Sequence, residues 1–276
     1  MKKWLRDQTV ILTGASGGIG KQLCKILISK YGANVIGIGR SEQKMLDLSQ
    51  ELGENKSKFS YRLFDVASRE QWQNFAGELS GAGVIPTLLI NNAGVFPTFS
   101  KTTDCPSHVI EHVLKTNYLS SVYAVESLLP LIKQAKNPSI YFVCSSSALC
   151  SVAGTAGYAA SKSAMKAYAE TLMIESRGDI YVGIAFPGTT KTDLFRNDGN
   201  AQNSALDKIA CPSEKMAKRI ARAIAGKKRR IVPGADAKLM NLTAKIAPVG
   251  GITFIKNVMR ASRSKVFTNV FDYEQK

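Results

Sequence analysis

Tyr158 and Lys162 stand four residues apart in the stretch Tyr-Ala-Ala-Ser-Lys. On a helix that spacing puts a phenol and an ammonium on one face. A nearby cation stabilises phenolate, so such a tyrosine can exchange a proton closer to neutrality than its ordinary pKa allows. With nine tyrosines in a lysine-rich chain, about one such pair arises by chance, and the pair alone says nothing. A second feature is Thr13-Gly14-Ala15-Ser16-Gly17-Gly18-Ile19-Gly20. Glycines there allow a tight turn and let the main chain approach a pyrophosphate, while the N-terminus of a following helix offers free N–H groups to the anion. The spacing differs from the common GxGxxG form, and glycine also marks plain turns, so its weight comes from its place between the first strand and the first helix. His108-Val-Ile-Glu111-His112 matches the HxxEH pattern of inverted zinc peptidases. These are the only two histidines, and the segment reads as polar residues on one helix face, away from the expected active site. Five cysteines with no CxxC spacing disfavour a disulfide framework and a zinc site and read as buried or incidental thiols.

The elements that must position these groups alternate. Strands are expected over 8–13, 34–39, 59–65, 87–90, 139–144, 179–185 and 229–232, and helices over 18–30, 41–52, 69–80, 116–136, 155–177 and 212–225. Most of the strands are apolar along their length, as when a parallel sheet is covered on both faces. The fold class this implies is α/β: a Rossmann-type doubly wound, mainly parallel seven-stranded sheet with helices on both faces. After Val232 the pattern changes to two short helices, 235–247 and 252–262, broken at Pro248-Val249-Gly250-Gly251. We therefore expect a catalytic domain over 1–234 with a basic helical extension over 235–276 packed on it. A chain of 276 residues that is 45% hydrophobic and 21% charged is an ordinary globular protein. No apolar run reaches membrane-spanning length. Met1-Lys2-Lys3 is charged like a leader, but the apolar stretch 9–13 runs straight into glycines, so nothing looks cleavable.

Taken together, Thr13 to Gly20, Asn91-Asn92-Ala93-Gly94, the Ser145 region, Tyr158-x-x-x-Lys162 and Pro187-Gly188-x-x-x-Thr192 fall in the order and spacing of the short-chain dehydrogenase/reductase family, which the chain resembles over roughly residues 5–232. The resemblance implies a catalytic tetrad of Asn117, Ser145, Tyr158 and Lys162. Tyr158 would exchange a proton with the substrate oxygen, and the Ser145 hydroxyl would hold and polarise that oxygen. Ser146 is the neighbouring candidate in the run of three serines. Lys162 would bind the nicotinamide ribose and lower the Tyr158 pKa, and Asn117 would support a proton-relay water; seen alone, Asn117 reads as a helix-interruption or cap residue. Gly14, Ser16, Gly17, Gly18, Ile19 and Gly20 would cradle the cofactor phosphates. Asp65 and Val66 resemble the adenine-contacting pair, Asn91, Ala93 and Gly94 would line the cofactor, and Pro187, Gly188, Thr190 and Thr192 would meet the carboxamide. Where members that use NAD carry an acid, this chain has Gly39 followed by Arg40, whose guanidinium suits the 2′-phosphate of NADP. Thr87 and Thr190 depart from frequent family residues without touching the chemistry.

The net charge of +16 is uneven: residues 201–276 hold 16 Lys+Arg against 5 Asp+Glu. The basic extension would either lie on an anionic membrane surface or pack its apolar face over the substrate cleft or a subunit partner, and we favour packing. Lys227-Lys228-Arg229-Arg230 has no aromatic stacking platform, so nucleic acid is not expected as a partner. In the family, the polar stretch 193–210 corresponds to a lid. The expected activity is NADP-dependent hydride transfer between nicotinamide and a carbonyl or secondary alcohol, on a bulky apolar substrate such as a hydroxysteroid. Small carbonyls, sugars and 3-oxoacyl thioesters stay open. An NADPH-binding sensor or a membrane-surface binding protein is the reading from another class. By resemblance the protein would be a homodimer or homotetramer, through the helices of 116–136 and 155–177, located in the cytoplasm or peripherally at the membrane surface.

Overall fold

The computed structural model of the protein describes residues 3–176, 178–192, 194 and 210–271. Seven strands form one parallel sheet: β1 (Thr9–Thr13), β2 (Asn34–Gly39), β3 (Phe59–Leu63), β4 (Leu88–Asn91), β5 (Ser139–Val143), β6 (Tyr181–Ala185) and, at one edge, β9 (Arg230–Ile231), in the order β3-β2-β1-β4-β5-β6-β9. All seven expected strands are therefore present, and the doubly wound topology holds. β4, β5 and β6 are buried along their whole length, so their continuous apolar runs gave the parallel sheet away. The order reverses between β1 and β4, where the registers align Val10 with Leu88 and Thr9 with Asn34. That reversal opens a crevice at the carboxyl ends of these strands. A short parallel pair, β7 (Thr190–Lys191) with β8 (Cys211–Pro212), was not foreseen, because two-residue strands leave no pattern.

One face of the sheet is covered by α1 (Gly18–Tyr31), α2 (Glu42–Glu51) and α7 (Ser213–Ala225), whose Leu23, Leu27, Met45, Ile220 and Ile224 pack on Val10, Leu12 and Ile90. The other face is covered by α3 (Arg69–Gly81), α5 (Ser120–Ile132) and α6 (Ala156–Glu175), through Trp72, Phe75, Leu128 and Met165 on Ile11, Leu89 and Phe142. The helix expected over 116–136 is different. A preceding helix, α4 (Ser107–Leu114), runs through a π-helical turn at Lys115–Leu119 into α5. Periodicity cannot show one extra residue in a turn, and such turns often sit at functional sites.

Two helices follow the sheet, α8 (Ala235–Ile246) and α9 (Pro248–Ala261). The expected break at 248–251 is narrower than read: Pro248 opens α9, a position where its missing N–H costs nothing. Gly251 lies inside the helix because any Cβ there would stand 2.8 Å from the Thr243 main chain of α8. Among the described residues no helix is long and apolar enough to cross a membrane. Of the stretch compared with a lid, all but Leu194 and Ala210 lies outside the described residues.

Candidate active site

The β1–α1 turn is built for a close approach. Gly14 and Gly18 take φ of 64° and 48°, a region that disfavours side chains. A Cβ on Gly20 would fall 2.0 Å from the Gly14 carbonyl oxygen. Gly17 caps α1 with no side-chain hydrogen bond, and a Cβ there would meet nothing within 4 Å. The space beside Gly17, at the end of α1 where the first N–H groups lack intrahelical partners, is therefore open, an arrangement suited to a phosphate. Thr13 Oγ1 accepts from the N–H groups of Asn92 (2.8 Å) and Ala93 (2.9 Å), and Asn92 Nδ2 donates to the Thr13 carbonyl (2.9 Å). These bonds staple the loop after β4 to the glycine turn, beside Gly94. Asn91 is buried, and its Nδ2 has no hydrogen-bond partner.

At the end of β2, Ser16 Oγ lies 3.4 Å from where a Gly39 Cβ would stand. Arg40 follows, exposed. Asp65 turns the chain after β3 by accepting from the Ala67 N–H at 2.9 Å, and Val66 is buried under Trp72, which donates to its carbonyl. Ile19 packs at the edge of the core under α1. Thr192 closes the other side: its Cγ2 sits 2.9 Å from the Cβ position of Gly18. The glycine turn, Asn92, Ala93 and Thr192 thus meet at one crevice, and the cradle of glycines there fits a dinucleotide carrying phosphates.

Across the crevice lie the residues expected to handle the proton. Asn117 is fully buried in the π-helical turn. Its Oδ1 accepts from the Val95 N–H at 2.7 Å, and its Nδ2 donates to the Val95 carbonyl and to Ser161 Oγ, both at 3.0 Å. The cap-like reading and the tetrad position therefore coincide, and the amide is largely occupied in holding the Gly94–Val95 main chain. A Cβ on Gly94 would stand 3.2 Å from Asn117 Oδ1 and 3.3 Å from Lys162 Nζ. Lys162 Nζ reaches the Val143 carbonyl at 3.4 Å and lies 5.9 Å from the Tyr158 ring centroid. The Ser145 hydroxyl accepts from the Ser147 N–H at 3.2 Å and donates to Ser147 Oγ at 3.3 Å, and it lies near enough to Tyr158 to pull that phenol's pKa down, whereas Ser146 gives its main-chain N–H to the Pro187 carbonyl.

Lys162 was expected to lower the Tyr158 pKa. In the free protein burial overrides that effect: it pushes Tyr158 up to about 12, the Ser145 hydrogen bond pulling only partly back, and pushes Lys162 down. Cys144 donates to the Lys162 carbonyl at 3.1 Å, and burial raises its thiol to about 11, so it is an inert packing residue.

Two further features complete the site. Asp236, in the first turn of α8, accepts from the Thr189 N–H at 2.6 Å, and its carboxylate packs so closely on Gly188 that a Cβ there would stand 2.1 Å from Oδ1. Thr190 bonds the Gly188 carbonyl within the same loop. An apolar wall also surrounds Tyr158. Phe96 meets its ring edge-on at 5.2 Å, and Phe99, Val113, Met259 and Phe267 continue the cluster. The inner face of α9 and the residues beyond it thus pack against the cluster around Tyr158. One expectation fails here. α4 is not remote from the site, since Val109, Ile110 and Val113 line a cleft with Tyr158. His108, Glu111 and His112 are exposed on the solvent side of the helix. Thr13, Asn92, Ser161, Phe96 and Asp236 were missed as site residues. The first three sit inside the motifs already read. Asp236 is 47 residues from its partner, and nothing in its neighbourhood marks it.

Comparison with known proteins agrees with this geometry. A family model described as short chain dehydrogenase matches residues 8–203. Dehydrogenase/reductase SDR family member 7B of Xenopus laevis is 28% identical over 95% of this chain and 84% of its own length, and the Bos taurus protein of that name is 29% identical, with 64% of its length covered. The 3-ketodihydrosphingosine reductase of Bos taurus is 26% identical over 88% of this chain and 76% of its own. Among solved structures, a short chain dehydrogenase of Shigella flexneri complexed with NADP superposes with a TM-score of 0.76 at 22% identity, over 86% of this chain and all of the other. An alcohol dehydrogenase of Thermococcus sibiricus complexed with 5-hydroxy-NADP gives 0.74 at 19%, over 83% and 97%. With the family model spanning well over half the sequence and its motifs gathered around one crevice, the chain belongs to the short-chain dehydrogenase family.

Proposed function

We propose that the protein is an NADP(H)-dependent oxidoreductase that reduces a ketone on a long or bulky apolar carbon skeleton. The observation that carries this reading is Tyr158: a buried, proton-bearing hydroxyl beside Ser145, set in a wall of Phe96, Phe99, Met259 and Phe267. Bound NADPH supplies the hydride. The substrate oxygen accepts hydrogen bonds from Ser145 and Tyr158, which stabilise the charge that develops on it. Tyr158 then gives up its proton, and Lys162 compensates the phenolate left behind. Asn117 keeps Gly94 and Val95 against Lys162, so that the cofactor side of the crevice stays fixed. Arg40, exposed beside Ser16 at the end of β2, supplies the charge for a 2′-phosphate, and among the described residues no carboxylate pairs with it. The relatives named above, one a 3-ketodihydrosphingosine reductase, support a 3-keto lipid as the substrate class, with a hydroxysteroid as the second candidate.

The test follows NADPH oxidation by absorbance with long-chain 3-keto amines, ketosteroids and short ketones, with NADH and Tyr158→Phe alongside. Turnover of an apolar class, much weaker with NADH and about 10²–10⁴-fold slower in Tyr158→Phe, is expected. Preference for short ketones would overturn the substrate class. Tight NADPH binding without turnover of any of them would turn the reading toward a sensor.

A further inference from the structure

Large apolar side chains are exposed unevenly. Of eleven such residues among those described, seven lie in the hairpin of α8 and α9. Leu239, Leu242 and Ile246 are spaced at three and four residues and share the face of α8 opposite its buried Ala237 and Met240. The turn continues the patch: Ile246 is 74% and Val249 79% exposed. Phe254 and Val258 extend it along α9, whose other face carries Met259 into the cluster around Tyr158. An apolar surface of this extent marks an interaction site.

Charge decides what covers it. Lys238, Lys245, Lys256, Arg260 and Arg263 border the patch. The single carboxylate of the two helices, Asp236, is turned inward to the Thr189 N–H. A second copy of the chain seated on this face would set cations against cations, which disfavours self-association. A surface of lipid phosphates satisfies them instead, while the long side chains bury their stems and keep their ends at the headgroups. Neither helix is long and apolar enough to span, so the pair would lie in the plane of the interface. We propose that the α8–α9 hairpin docks the protein on the surface of an anionic lipid bilayer, with the Ile246–Val249 turn as its deepest point. Docked there, the hairpin places the apolar wall around Tyr158 next to the membrane.

The test is flotation of the full-length protein with vesicles of phosphatidylcholine alone or mixed with phosphatidylglycerol, at low and high salt. Binding to the mixed vesicles only, released by salt, is expected. Ile246→Glu combined with Val249→Glu should cut that binding about tenfold or more while NADPH binding is unchanged. Lys245→Glu with Arg260→Glu should cut it without altering the apolar face. No flotation, equal flotation on neutral vesicles, or a double-glutamate variant that floats like the parent would each overturn the proposal. So would a parent oligomer that fails to bind vesicles and falls apart in the double-glutamate variant, since a second copy would then be the occupant. None of these readouts depends on turnover, so they stand or fall apart from the proposed activity.

Discussion

Burial acts in opposite senses on Tyr158 and Lys162, the two groups we propose to handle the proton. It drives the Tyr158 phenol up to about 12 and the Lys162 ammonium down, because each loses its charged form on leaving water. Through the neutral range Tyr158 therefore holds its proton, the state that ketone reduction needs. For the free enzyme, kcat/KM for reduction should be level from neutrality to about pH 9 and fall only as the pH climbs toward the raised pKa. Alcohol oxidation needs phenolate, and its kcat/KM should rise about tenfold per pH unit over the same range. Parallel pH profiles in the two directions check this, and a neutral plateau in oxidation would contradict it. At this scale the sequence was a good guide to identity and a poor one to energetics. Tyr158, Lys162, Ser145 and Asn117 were named through the family resemblance, and the fold brings them to one side of the crevice. The direction of the tyrosine's shift was not, because it depends on how much water Phe96 and the tail exclude, and those residues come from distant segments.

The turns and helix ends set the cofactor crevice, and neighbouring glycines differ sharply in what they tolerate. Gly20→Ala forces a Cβ onto the Gly14 carbonyl and should cost about 1–3 kcal/mol of stability or more, read by urea unfolding. Gly17→Ala meets no atom of the protein; its stability should be unchanged, while NADPH affinity falls because the methyl occupies the space left for phosphate. Asp236 is the other test at this scale. Removing its carboxylate in Asp236→Ala leaves the Thr189 N–H unpaired and should weaken NADPH binding roughly 5–50-fold, with little change in melting temperature. Asp236→Asn, which keeps an acceptor, should recover most of the affinity. Fluorescence titration with NADPH separates the three proteins. Strands and most helices could be read because burial on both faces writes long apolar runs. The π-helical turn at Lys115–Leu119 and the start of α9 at Pro248 could not, since one inserted residue or one proline barely disturbs periodicity.

Over the whole molecule, the end of the chain returns to its middle. Gly154, at φ 79°, is pressed against Val270, so that a Cβ there would stand 2.4 Å from the valine Cγ2. Phe267 stacks edge-on against Phe99 at 5.0 Å. Gly154→Ala should lift the tail from this seat and raise KM for an apolar ketone several-fold, with NADPH affinity unaffected, because the glycine turn lies across the crevice. Steady-state kinetics in both substrates distinguishes this from general loss of fold. The sequence showed where the charge concentrates, +11 of the net +16 in residues 201–276, and that the extension is amphipathic. It did not show which apolar residues turn inward, since that requires the fold against which they pack. Asp236, just beyond the boundary drawn at residue 234, grips Gly188 and Thr189 before it. The extension is thus not an interchangeable module. A hybrid spliced after Gly234 would keep the clamp on the Gly188–Thr189 loop only if the incoming segment brought a short acceptor side chain as its second residue, so relatives that differ there would exchange their hairpins at a cost in cofactor affinity.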